Sequence, residues 1–269
     1  MSRELTHALI GFFGVIAVLG GVFLAAYGGD SLDAVIVLTN RASLLLIGSN
    51  SFDSVGGGFL ANIGISLASM VVATVLGVSL GGATTAPNPM VRNTAILVVN
   101  LMRNSPWLVV LYAMLYLIPF RLSIFGTEYW VSPAAKAVVG LSVPVTAYMS
   151  EVFRAGIQSV PDGQWESARA LGYRRGAILR RIILPQALPQ MIPNIMTTYA
   201  MLFIGTSLVV VTGTKDVLSV AKTVIASDGD DYATAVYLFV LLLFFIYCYP
   251  IATASRAIEQ KIRKAGLHG

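Results

Sequence analysis

Apolar residues in this chain gather into long runs separated by short polar stretches. Six runs approach the ~20 residues that carry a helix across a bilayer: residues 9–27, 59–82, 97–119, 133–153, 195–211 and 232–254. Only a helix or a closed barrel satisfies its backbone in lipid. The pattern therefore predicts an all-α integral membrane protein of about six transmembrane helices. The first run follows Arg3 and shares some features with a cleaved secretory signal. It is longer than the usual apolar region of a signal, and no clean small-x-small site appears near Leu24, Ala25 and Ala26, so we read it as a retained span.

Lys and Arg accumulate on the cytoplasmic side of membrane proteins, and this gives the orientation. The connection between the fourth and fifth runs carries Arg169, Arg174, Arg175, Arg180 and Arg181, and the tail after the sixth carries Arg256, Lys261, Arg263 and Lys264. Both belong inside, so both termini are cytoplasmic. The opposite loops agree. Residues 26–54 offer only Arg41 against Asp30, Asp33 and Asp53, and residues 215–231 include Asp228, Asp230 and Asp231. That acidic cluster reads as a solvated outer loop rather than a cation site.

Composition supports the membrane reading: 56% of the 269 residues are hydrophobic and 12% charged, too little polar surface to coat a soluble globule. The net charge of +5 sits in short tracts beside apolar runs, as topology signals do, and not along a face suited to nucleic acid. Cys248 is the single cysteine and lies in an apolar run, where it reads as a packing residue; His7 and His268 have no partners at ligand spacing, so no metal site is expected.

The stretch 151–185 is too polar to span and too helical to be a slack linker. Ser159, Pro161 and Asp162 mark a helix start, with Ser159 as the expected cap. Trp165, Ala168 and Leu171 then recur at helical spacing, and Gly172 with Arg174 and Arg175 supply a stop. Small residues at 167, 168 and 172 would let another backbone approach, and Trp165 and Tyr173 are interface types. This helix either docks into a partner protein or lies on the anionic inner leaflet through its arginines.

Glu166, Ser167, Ala168, three free positions, Gly172, nine more, then Ile182, Leu184 and Pro185 resemble the EAA loop of bacterial ATP-binding-cassette (ABC) import permeases. Ser167 stands where that pattern has its middle alanine. The flanks EVFRAGIQSVPDGQWESARALG and LPQALPQMIPN, and the stretch Arg103, Asn104, Ser105, Pro106, are similar to the polar amino-acid branch. The resemblance covers residues 59–257. It implies a five-helix permease core there with its loop at 154–185, preceded by an extra helix and outer loop over residues 1–58 and followed by a basic tail over 258–269. It further implies that Gln164, Trp165, Glu166, Ser167, Ala168, Arg169, Gly172 and Pro185 couple the chain to a separate ATPase dimer. A second permease chain, the same or related, an outer solute-binding protein and membrane lipid complete the implied partners, in the bacterial inner membrane. The chain itself needs no cofactor, and ATP and Mg belong to the ATPase. No GxxxxGK[ST] occurs, since the glycine-rich stretch 81–85 lacks the lysine.

Charges inside a membrane are costly and usually functional. Arg103 and Lys136 fall near span ends, where long side chains can reach the interface. Glu151 and Arg154, three apart, read as an ion pair organising the loop. In the fifth span, Ile204 and Gly205 stand where the branch commonly has lysine and aspartate, followed by Thr206 and Ser207 as in the branch. Those two, with Asn62, Ser66 and Ser69 on one face of the second span, either line a solute path or pack helices together. The loop spacing favours an ABC importer permease for a polar amino acid or related solute; a secondary transporter or channel is the alternative. No catalytic constellation points to an enzyme.

Overall fold

The computed structural model describes residues 3–50 and 56–264; Asp53 and His268 lie outside them. Helix α1 (Arg3–Tyr27) passes through a 3-10 turn into α2 (Ser31–Ile47), and then come α3 (Gly58–Thr84), α4 (Pro89–Arg103) and α5 (Trp107–Leu117). A hairpin of β1 (Arg121–Ile124) and β2 (Thr127–Trp130) precedes α6 (Pro133–Gln158). The remaining helices are α7 (Asp162–Ala170), α8 (Arg175–Ile178), α9 (Leu184–Gly205), α10 (Val217–Asp228) and α11 (Ala233–Lys264).

Among the described residues, four helical stretches are long and apolar enough to cross a membrane, and five if α4 and α5 count as one bent span. Helix α6, at 26 residues, has the length but is less apolar, and with it the count is about six.

Several boundaries differ from those read in the sequence. The third run is not one helix, because α4 and α5 meet at 100°. Pro106 has no N–H and crowds Ser105 out of the helical region. Side chains add bonds to carbonyls of the last turn of α4: Asn104 donates Nδ2 as well as its backbone N–H to Asn100 O, at 2.8 and 3.1 Å, and Ser105 Oγ donates to Leu101 O at 2.7 Å.

Two expected outer loops contain helices. In α2, Ala34, Leu38, Arg41 and Leu45 share one face; Ala34 and Leu45 are buried, and Leu38 packs on the same cluster as Leu45. In α10, Val217, Val220, Ala221, Val224 and Ile225 are buried at helical spacing behind an Asp216 cap. The fifth span starts at Leu184 rather than near residue 195, with Pro189 and Pro193 inside it. Membrane helices tolerate proline in their interior, and here Ser255 of α11 donates to Pro193 O at 2.9 Å and fastens this stretch of α9 to α11.

Lys136 does not reach an interface: it is 1% exposed. Its Nζ donates to Leu115 O at 3.0 Å and lies 3.2 Å from the centre of the Phe120 ring. The reason lies in α5. Leu115 O would normally accept the N–H of residue 119, which is Pro119 and has none. The ammonium of Lys136 stands in for the missing amide, beside an aromatic face that also favours a cation. The hairpin that follows, unanticipated from the sequence, turns at Phe125 and Gly126, both with positive φ, as a two-residue hairpin turn requires.

The chain forms two compact units. The first (Met1–Ser66, Met114–Ala137, Phe203–Pro250) is centred on Leu45, Phe59, Phe203, Val217 and Val236. In it the N-terminal helices are tied to α11 and its approach: Phe12 stacks on Phe245 at 5.4 Å, Tyr249 OH donates to Ala8 O, and Tyr27 OH donates to Asp231 O at 2.8 Å. Arg41 donates twice to Asp228 at 2.6 and 2.8 Å. The second unit (Leu67–Ala113, Val138–Leu202, Ile251–Gly269) has its core around Phe153, Ile157, Ile178, Ile183 and Met191.

Candidate functional site

The cytoplasmic loop belongs wholly to the second unit. At the end of α6, Arg154 Nη2 and Nε donate to Glu151 at 2.6 and 3.4 Å and Nη1 donates to Gln158 at 2.9 Å, the ion pair read from the sequence. Ser159 does not cap α7: its hydroxyl donates back to Gly156 O at 2.7 Å, and the cap position is Pro161, without a side-chain bond. Asp162 in the first turn places a carboxylate at the positive helix end.

Helix α7 has two distinct faces. Trp165, half-buried, and Ala168, buried, turn into the loop's own core with Val160, Ile178 and Ile183. Gln164, Glu166, Ser167 and Arg169 are exposed, as are Leu171, Gly172 and Tyr173 just beyond. Leu171 is 77% exposed. A bare leucine at the tip of a basic loop is what a covering partner would bury. Trp165 and Ala168, counted with the docking residues from their types, thus support the helix from behind.

The end of α7 explains the glycine. Tyr173 N donates to Ala168 O at 3.1 Å and Gly172 N to Arg169 O at 2.9 Å, the paired bonds of a Schellman cap. The cap needs a left-handed residue, and Gly172 has φ +80° with open space around its Cα. Beyond it, Arg175 Nη2 donates to Thr85 O at 2.9 Å, which ties the loop to the turn after α3. A groove of ≈ 620 Å³ between that turn and α7 is bordered by Pro87, Gln158, Asp162, Trp165 and Arg175. Five residues of π-helix, Leu179–Ile183, lead to exposed Pro185.

The path candidates divide between the units. In the first, Asn62 is buried: its Nδ2 donates to Thr206 Oγ1 at 3.1 Å and to Thr206 O at 3.3 Å, and its Oδ1 accepts the N–H of Val217 at 3.0 Å. One amide thus joins the end of α9 to the start of α10. Next to Val217 in sequence, buried Asp216 accepts from Ser219 N and Leu218 N at 3.1 and 3.2 Å and from Ser219 Oγ at 2.5 Å. Sequence reasoning missed this N-cap, although an aspartate just before an apolar run signals one. Ser66 donates to Ile63 O at 2.8 Å. Ser207 borders an apolar cavity of ≈ 460 Å³ with Ile204, Tyr237 and Phe244. In the second unit, Ser69 donates to Val138 O at 3.3 Å. Thr146 and Ser150 of α6, both buried, were missed as well, although four-residue spacing with Ser142 puts them on one stripe.

Among the described residues, no group of three His, Cys, Asp or Glu side chains is placed to hold a metal. Within the outer acidic cluster, Arg41 holds the Asp228 carboxyl below its usual range, mainly through the hydrogen bonds it donates.

A family model described as "Binding-protein-dependent transport system inner membrane component" matches residues 73–264. The chain is 30% identical over 232 residues to a probable amino-acid ABC transporter permease protein, y4tF, of Sinorhizobium fredii, covering 84% of this chain and 97% of that protein. It is 29% identical to the glutamate/glutamine/aspartate/asparagine transport system permease protein BztC of Rhodobacter capsulatus, covering 88% of this chain and 54% of the relative. Among solved structures, an amino acid ABC transporter chain crystallised with histidines aligns with a TM-score of 0.65 at 21% identity, over 76% of this chain and 92% of that one.

Proposed function

The chain belongs to the inner membrane components of binding-protein-dependent transport systems, as a multi-pass permease subunit of an ABC importer, and from that premise we propose that it passes a polar amino acid and is driven through α7. It is a transport subunit and not an enzyme; membership implies an ATPase and a solute-binding protein as partners. The names of the relatives support an amino-acid solute. Two permease chains, alike or related, would present one α7 each to an ATPase dimer, where ATP and Mg act.

The observation that carries the coupling role is the exposed tip Glu166, Ser167, Leu171 and Gly172, held on a capped helix whose opposite face is sunk in the loop's own core. A solid backing lets the tip transmit force in both directions. Glu151 and Arg154 hold the helix end from which the loop departs.

The test is ATP hydrolysis by the purified permease–ATPase complex in lipid, with Gly172→Arg and Gly172→Asn compared. Arginine blocks the tip and strains the cap, whereas asparagine tolerates the left-handed conformation. The expected outcome is loss of association and stimulated hydrolysis with arginine and at least partial retention with asparagine. Full stimulation by Gly172→Arg would remove α7 from the coupling role.

A further inference from the structure

Hydroxyls buried in helices usually return a hydrogen bond to a carbonyl three or four residues back. Those of this chain largely do: Thr74 to Met70 O at 2.7 Å, Thr84 to Gly81 O at 2.7 Å and Ser142 to Val138 O at 2.6 Å. Thr146 and Ser150 of α6 do not. They are 3% and 0% exposed, and neither hydroxyl has a partner.

Their surroundings do not make up the deficit. A Cβ built on Gly77 of α3 would stand 3.0 Å from Thr146 O and 2.5 Å from Met149 Cβ; one on Gly81 would stand 2.8 Å from Ser150 O. The two glycines therefore let α3 press directly on this face of α6. The two residues that carry the unmet hydroxyls thus border a close helix seam through their backbone carbonyls, and valine and alanine in their places would fill nearly the same space without leaving a polar atom unmet. Just before the stripe, Pro144 denies the Gly140 carbonyl its usual helical partner, so α6 has a ready place to bend.

We propose that Thr146 and Ser150 are contact points for the transported solute, met when the seam between α3 and α6 opens in another state of the transport cycle. The proposal rests on the permease reading and names where the solute touches the chain. Hydroxyls donate and accept but carry no charge, and the nearest ionic side chains on α6, Glu151 and Arg154, are paired with each other. The stripe suits a solute that is rich in donors and acceptors and near net neutrality, as a zwitterionic amino acid is, better than a cation.

The experiment uses the full permease–ATPase complex with its binding protein in liposomes and an equimolar mixture of the common amino acids as probe. In a Cys248→Ala background, Thr146→Cys and Ser150→Cys are treated with a small methanethiosulfonate reagent. Labelling is expected during turnover, little or none at rest, and several-fold slower when the probe is saturating. In a second arm, the double variant Thr146→Val, Ser150→Ala is expected to raise the KM of uptake about tenfold or more, with unfolding temperature and ATPase association kept. Cysteines that stay unlabelled during turnover, labelling that the probe does not slow, or an unchanged KM would each overturn the proposal. A parent complex that associates with no ATPase and takes up nothing overturns the permease reading and this inference together.

Discussion

Asn62 and the pair Thr146 and Ser150 are alike on paper: polar, buried and set in apolar helices. They differ in what surrounds them. Asn62 spends its amide on Thr206 and on the N–H of Val217, whereas the two hydroxyls of α6 meet nothing. A satisfied buried amide fixes one arrangement of helices, since every alternative leaves groups unmet in a medium without water. An unsatisfied one favours any state in which it finds a partner. Burial of a polar group in a transporter therefore has two meanings, and the hydrogen-bond inventory separates them.

The comparison breaks first at Asn62. Asn62→Leu strands the Val217 N–H and takes the side-chain donor from Thr206 O, although Thr206 Oγ1 keeps its bond to Phe203 O, and unmet buried groups cost roughly 1–3 kcal/mol each. A fall of about 2 kcal/mol or more is expected in denaturant unfolding of the detergent-solubilised chain, against no loss for Thr146→Val and Ser150→Ala. Equal losses at all three positions would erase the distinction.

Lys136 stands between the two cases. Lys136→Met leaves Leu115 O without its donor but also removes a buried charge, so the loss is expected to be smaller than at Asn62, about 1 kcal/mol. The same unfolding measurement checks it. A Pro119→Ala change that returns the amide should soften the effect of Lys136→Met, because the two groups serve one carbonyl.

The smallest effect is expected at Arg41–Asp228, a partly exposed pair. Its aspartate sits below its ordinary value of 3.8, so the pair's contribution is present at neutral pH and is lost as pH falls through the folded value. Melting curves of the parent chain and Asp228→Asn should converge as pH drops below 3.8. Curves that stay equally far apart down to that range would show that the pair's charge does not hold α2 to α10.

The coupling loop is the part of the molecule most legible in the sequence. Its helix, its stop at Gly172 and its ion pair are written in residues a few positions apart, so local chemistry suffices to read them. Trp165 and Ala168 are the exception: periodicity puts them on one face but does not say whether that face meets a partner protein or the loop itself. The polar residues of the spans are the least legible. Asn62 lies 144 positions from Thr206 and 155 from Val217, and no spacing rule links them.

By itself the sequence determined where the long apolar runs lie, which ends face the cytoplasm, and the loop that identifies an importer permease. Those are properties of length, charge and short-range spacing. Only the tertiary structure decided that α2 and α10 are helices with buried faces, that Lys136 replaces the amide Pro119 lacks, and that Asn62 is met while Thr146 and Ser150 are not. Each of these depends on which distant group arrives within about 3 Å, the distance at which a hydrogen bond forms, and that is set by packing of the whole chain.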